Sequence, residues 1–151
     1  MDNDDVVDEL NDLIETCKDG EYGFQTCAEQ AKSTNLKQLF QERAEGCRRA
    51  ASELQSAVVR LGGDADTGGS ALGALHRGWV SVRETLSTKS DLAVLEECER
   101  GEDKALAAYR GALEEDLPAD IEELVRRQYD GAKRNHDQIR TLRDSMKASG
   151  S

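Results

Sequence analysis

Four long stretches of the chain repeat apolar residues at alternating steps of three and four, which is the spacing of one buried helix face. The predicted helices cover about residues 4–32, 35–61, 90–115 and 118–147. Ser33 and Ser90 supply N-cap chemistry for the second and third helices, and Pro118 suits the first turn of the fourth. The pattern therefore predicts an all-α chain.

The strongest break in the chain is the glycine-rich run at 62–69. The first two helices are joined by a very short turn, so they are expected to run antiparallel. After the break, residues 70–87 keep the helical stepping and predict a short extra helix in a crossover connection. This segment contains His76 and Trp79, and we expect it to cap the helices or to form a dimer contact.

The two halves of the chain show an internal repeat. Residues 15–21 match 96–102 as E-x-C-x-x-G-E at an offset of 81, and Glu45-Gly46 matches Asp130-Gly131 more weakly at an offset of 85. Two related helical hairpins joined by a long crossover are the ferritin-like layout. Chance similarity between short acidic helices is the alternative.

Charge and composition exclude several classes of protein. The 151 residues include 20 Lys and Arg against 31 Asp and Glu, which gives a net charge of −11, and the basic residues are interspersed with acids. Such a surface disfavours binding to nucleic acid. No apolar run is long enough for a membrane span, and residues 1–5 lack the order of a secretion signal. We expect a cytoplasmic protein with no membrane partner.

Two glutamates stand in the middle of apolar stripes, where a carboxylate is costly unless it is paired or protonated. Glu21 and Glu102 are expected to converge with His136 in one layer, with Glu99 as a further ligand. Carboxylates and an imidazole are ligands that Fe, Mn or Zn accepts.

The same layer admits two other interpretations. In the first, the core polar residues Arg43, Gln128 and Asn135 belong to a network without metal, in which Arg43 pairs with one glutamate and His136 or Gln128 satisfies the other. In the second, the glutamates are exposed in a dimer cleft.

The cysteines Cys17, Cys27, Cys47 and Cys98 lack zinc-knuckle spacing, so buried thiols are the simplest interpretation. The three that fall near the predicted site, Cys17, Cys47 and Cys98, leave a thiol sensor as an alternative.

Each long helix also has a central glycine beside an acidic residue. A glycine inside a helix lowers helix stability by about 1 kcal/mol relative to alanine. These glycines are Gly20, Gly46, Gly101 and Gly131. They predict close backbone approach or local bulges at one level, with coincidence as the alternative.

Three strings resemble an uncharacterised bacterial group of ferritin-like four-helix-bundle proteins, described as a domain of unknown function. They are His76-Arg77-Gly78-Trp79, the run 96–103, and Arg134-Asn135-His136-Asp137. The resemblance covers nearly the whole chain and implies one ferritin-like domain over 1–147, before a disordered tail at 148–151.

The wider ferritin-like superfamily implies a role for the same site residues. By its pattern, Glu21 and Glu102 resemble the single metal-binding glutamates and His136 resembles one histidine. Lys133 and Ala51 stand where further ligands would fall, so a complete di-iron centre is not expected.

The expected function is that of a stress-associated binding or structural protein with a partial carboxylate and histidine metal site. We expect a homodimer without enzymatic activity; no protein partner and no certain cofactor are indicated. The alternative is a di-metal (Fe or Mn) oxidase, a peroxide-scavenging protein or an iron-handling protein.

Overall fold

The structure, a computed structural model, describes residues 2–66 and 90–149. Over these residues the chain forms four α-helices and no strand, which confirms the all-α prediction. The helices are α1 (Asn3–Gln30), α2 (Thr34–Arg60), α3 (Asp91–Leu113) and α4 (Ala119–Ala148). The short helix expected over 70–87 lies outside the described residues. Of the tail expected at 148–151, the structure describes only the last helical residue and its C-cap, Ser149.

Side-chain caps set where three of the helices begin. The side chains of Asp2, Ser33 and Ser90 each accept a hydrogen bond from the backbone N–H three residues further on. Pro118 is the N-cap of α4 and makes no side-chain hydrogen bond there. Helix starts were therefore predicted to within about one residue, because cap chemistry is local in sequence.

α1 contacts α2 along its length. At one end, Lys37 donates from Nζ to the backbone oxygen of Ala28 at 3.0 Å. At the other end, Asn11 donates to the backbone oxygen of Asp64 at 3.0 Å. The end of α1 thus lies beside the start of α2, and the start of α1 lies beside the residues that follow α2.

α3 also packs against α1, through polar contacts at its start and a contact in the core further along. The Asp91 carboxylate accepts hydrogen bonds from the backbone N–H groups of Lys32 and Ser33, at 2.7 and 3.1 Å. Further along, the Sγ atoms of Cys27 and Cys98 lie 2.8 Å apart in the core. The start of α3 is therefore fastened to the turn between α1 and α2.

The hydrophobic core has two parts. The first cluster contains Val6, Leu10, Leu13, Ile14, Leu54, Val58, Ile121 and Val125 among others. The second cluster contains Phe24, Phe40, Val94, Leu95, Cys98 and Ile139 among others, with the rings of Phe24 and Phe40 stacked at 6.3 Å. Between them lies the middle layer of the helices, which is rich in glycine and polar residues.

One glycine after α2 has no room for a side chain. A Cβ atom at Gly63 would lie 2.7 and 2.8 Å from the two γ-methyl groups of Val7. We expect Gly63→Ala to lower the free energy of unfolding by about 1–3 kcal/mol, because overpacking forces its neighbours to move. Urea denaturation measures this change.

Gly111 is the matched control, because a Cβ there meets nothing within 4 Å. We expect Gly111→Ala to raise stability by up to about 1 kcal/mol through helix propensity. Equal shifts for the two variants would contradict the close packing of Gly63 on Val7.

Candidate functional site

A cavity of about 650 Å³ lies in the middle layer, and residues from all four helices line it. The four central glycines of the helices are all in its wall: Gly20, Gly46, Gly101 and Gly131. Side chains from both hydrophobic clusters also reach it, including Cys17 of the first and Phe24 of the second. The cavity thus occupies the space that separates the two parts of the core.

The glycines do not all have the same role. A Cβ at Gly20 would lie 2.9 Å from Cys47 Sγ, so the absence of a side chain at Gly20 leaves room on α1 for the Cys47 side chain of α2. A Cβ at Gly46 or Gly131 would meet only an arginine nitrogen, at 3.9 or 3.7 Å. These two glycines therefore leave open volume in the cavity wall and do not bring helices together.

Side-chain bridges join α2 to α4 on either side of the cavity. On one side, Arg127 donates to Glu53 at 2.9 Å, and Gln128 donates to Glu53 and to the backbone oxygen of Ala50. On the other side, Arg43 donates to Gln138. These bridges hold the two helices around the opening.

Two buried carboxyl groups line the cavity, Asp19 and Glu102, with 6% and 7% of their surfaces exposed. Glu102 has the strongly shifted pKa. Burial raises its pKa to about 8, the charge of Arg43 opposes this, and Asp103 and Glu99 add to the increase. Its Oε1 atom is buried and has no hydrogen-bond partner among the described residues. At neutral pH the side chain is therefore mostly a neutral carboxylic acid with one oxygen unused.

Arg43 also lines the cavity and has an unused polar atom. Its terminal nitrogen is engaged by Gln138, but its Nε is buried and makes no hydrogen bond within the part of the chain that the structure describes. A buried polar group without a partner costs about 1–3 kcal/mol. Arg43 and Glu102 together thus leave a donor and a polar oxygen at one cavity.

A buried hydrogen-bond chain forms another part of the wall. The Tyr109 hydroxyl donates to Gln128 at 2.8 Å and lies 3.3 Å from Cys17 Sγ. Burial raises the pKa of the Cys17 thiol to about 11 and that of Cys47 well above its usual value. Thiolate is the reactive form of cysteine, so these thiols are poorly suited to the sensor interpretation at neutral pH.

A family model, described as Domain of unknown function (DUF2383), matches residues 5–115. The chain belongs to this family. The match includes α1, α2 and α3 and ends before α4 begins. A search of curated proteins finds no match to the chain.

Within residues 2–66 and 90–149, none of the helices combines the length and apolar character that a membrane crossing requires.

The structure places the predicted metal ligands of this DUF2383 chain in different surroundings. Glu21 pairs with Lys18 at 3.5 Å. His136 Nε2 lies 2.6 Å from Asp103 Oδ1 and 3.8 Å from Glu99 Oε2. It makes no hydrogen bond to either carboxylate.

The other predicted residues divide between the cavity and its surroundings. Glu99 also pairs with Arg143, and Cys98 contacts Cys27. The predicted residues that line the cavity are Cys17, Arg43, Cys47, Glu102, Gln128 and Asn135.

The predicted metal ligands do not form one cluster among the described residues. Fe, Mn or Zn needs several oxygen, nitrogen or sulfur donors directed at one point. Over 2–66 and 90–149, no group of three or more His, Cys, Asp or Glu side chains is arranged to hold one. Glu102 remains in the cavity, whereas Glu21 and His136 have other close partners.

Sequence reasoning missed the cationic residues of the cavity, namely Arg49, Lys104, Arg127 and Arg134, together with Tyr109. One signal was present in the sequence. The weak repeat at an offset of 85 continues three residues beyond its glycines, so Gly46-x-x-Arg49 matches Gly131-x-x-Arg134.

The raised pKa of Glu102 predicts a pH-dependent stability. The folded group has a pKa of about 8 against an ordinary 4.5, so its favourable contribution is complete below pH 4.5 and is lost as pH rises to 8. Each pKa unit corresponds to about 1.4 kcal/mol. We expect Glu102→Gln to match the native protein near pH 4 and to exceed its stability by a few kcal/mol at pH 8.

Urea denaturation at several pH values measures this difference. Glu42→Gln, which removes an exposed glutamate, controls for the loss of one negative charge. Parallel pH profiles for the native protein and Glu102→Gln would contradict the buried, neutral state of Glu102.

Proposed function

We propose that this DUF2383 protein binds a small organic molecule in the cavity between its four helices. The proposal rests on the cavity itself, which has a mixed apolar and polar wall formed by residues of all four helices. Its volume of about 650 Å³ falls within the range of small-molecule sites.

The proposal extends to the topology of the chain. We propose a ferritin-like antiparallel four-helix bundle in which the extra helix over 70–87 belongs to the crossover. In support, Asp64 lies beside the start of α1, whereas Asp91 lies beside its end. The chain between them connects opposite ends of α1, as a long crossover requires.

We further propose a stress-associated binding role, a cytoplasmic location and a homodimeric state. The net charge of −11 supports a protein that avoids nucleic acid and anionic lipid. The amphipathic segment with His76 and Trp79 is the proposed dimer contact.

A metal-handling or di-metal oxidase function receives less support. Oxygen-activating centres of the carboxylate type use several glutamates and histidines from facing helices. Here Glu21 is paired with Lys18, and His136 lies beside Asp103 and Glu99. An organic ligand fits the mixed apolar and polar wall better than Fe, Mn or Zn does.

A cavity-filling variant tests the proposed binding site. A Cβ at Gly131 would meet only Arg134 within 4 Å, so a larger side chain can extend into the cavity from there. We expect the native protein to bind N-phenyl-1-naphthylamine, a neutral apolar fluorophore, with a saturable rise in fluorescence. Gly131→Phe should weaken this binding by about tenfold or more, because the phenyl ring takes the same space.

Gly111→Phe is the matched control, since Gly111 is exposed and lies outside the cavity wall. It should leave binding unchanged. Circular dichroism checks that each variant is folded, and Gly46→Phe provides a second filling variant from α2. Absence of saturable binding by the native protein, or unchanged binding by both filling variants, would overturn the proposal.

A further inference from the structure

Positive side chains gather around the cavity of an otherwise acidic protein. The basic residues in its wall are Arg43, Arg49, Lys104, Arg127 and Arg134, and the acidic ones are Asp19, Glu53 and Glu102. The whole chain has a net charge of −11, so this local excess of positive charge runs against the overall composition. Such a local field attracts anions.

The acidic residues offset this charge only in part. Glu53 accepts hydrogen bonds from Arg127 and Gln128, so its charge is already engaged. Glu102 has a pKa of about 8, so at neutral pH its side chain is uncharged in most copies of the protein. Asp19 is the third carboxyl group of the wall, and the five basic side chains still outnumber the three acidic ones.

Two of the arginines occupy equivalent positions in the internal repeat, one on α2 and one on α4. Arg49 follows Gly46 by three residues on α2, and Arg134 follows Gly131 by three residues on α4. In each pair, an arginine terminal nitrogen lies within 4 Å of where the glycine Cβ would be. Because glycine has no side chain, each guanidinium can lie against its own helix at the wall of the cavity.

Among the described residues, the same two arginines have no close anionic partner. Over residues 2–66 and 90–149, neither Arg49 nor Arg134 makes a hydrogen bond or an ion pair, and Arg49 acts on Glu53 only through its charge at longer range. By contrast, Arg48 pairs with Glu45, and Arg126 pairs with Glu122 at 3.3 Å. A free guanidinium offers paired donors that match a carboxylate, sulfonate or phosphate group.

We infer that the ligand of the cavity is an amphipathic organic anion, whose acidic group binds Arg49 and Arg134 and whose apolar body lies inside the cavity. This inference rests on the proposed binding function. Phe24 and Ala105 supply apolar wall for the body of the ligand, and Tyr109 supplies an aromatic ring. The partly buried Arg43 adds a further positive charge to the wall.

Two matched fluorescent probes separate this inference from the proposed function. 8-Anilinonaphthalene-1-sulfonate carries an anionic sulfonate on the same ring system that N-phenyl-1-naphthylamine presents without charge. We expect the native protein to bind the anionic probe at least about tenfold more tightly at low salt, and this preference should shrink as sodium chloride is added.

The double variant R49Q/R134Q removes both guanidinium groups. It should lose the preference for the anionic probe, by about tenfold, while it retains its affinity for the neutral probe. The control R48Q/R126Q removes the same charge from the same two helices at positions outside the cavity wall. It should behave as the native protein does, and circular dichroism confirms that each variant is folded.

The possible results are distinct. If the native protein binds neither probe, the proposed function fails, and this inference fails with it. If the neutral probe binds as tightly as the anionic one, or if R49Q/R134Q keeps the anionic preference, the cavity binds ligands but the anion inference is overturned. Loss of that preference in R48Q/R126Q as well would also overturn it, since general charge would then explain the effect.

Discussion

The structure depends on what fills the middle of its four helices. Large apolar side chains pack at both ends, but the central layer contains four glycines and the buried carboxyl group of Glu102. Glycine fills no space beyond its own backbone, and an unpaired carboxylate is costly in an apolar core. The core is therefore divided into two clusters, and a cavity takes the place of the packing that would join them.

This layer costs stability in several ways, and such costs concentrate at functional sites. The helical glycines are less favourable than alanine, and the buried atoms of Glu102 and Arg43 lack partners within the described residues. The bridges from Arg127 to Glu53 and from Arg43 to Gln138 nonetheless hold α2 and α4 on either side of the opening. A ligand that fills the cavity accounts for the open central layer between the two clusters.

The positions of the helices could be predicted from the sequence, because helical periodicity and Ser caps are local signals. The sequence also predicted that the four central glycines lie at one level of the helices, and all four line the cavity. Side-chain direction was harder, since adjacent residues on a helix point about 100° apart. Gly20 lines the cavity whereas Glu21 pairs with Lys18, and Asn135 lines it whereas His136 lies beside Asp103.

The cationic wall was missed for a related reason. In a sequence with interspersed charges, Arg49 and Arg134 look like ordinary exposed residues of polar helix faces. Only the packing of α2 opposite α4 brings them to one cavity. The repeat of Gly-x-x-Arg at an offset of 85 was the one local sign, and its meaning depends on tertiary structure.

The most direct test of the central claim is an NMR titration of the Glu102 side-chain carboxyl carbon in the native protein, assigned by comparison with the Glu102→Gln variant. If Glu102 is a buried, neutral acid in the cavity wall, the titration midpoint lies near pH 8. Metal ligation would instead require a deprotonated carboxylate, and solvent exposure would leave the ordinary value of 4.5. A midpoint at or below that ordinary value would contradict the account.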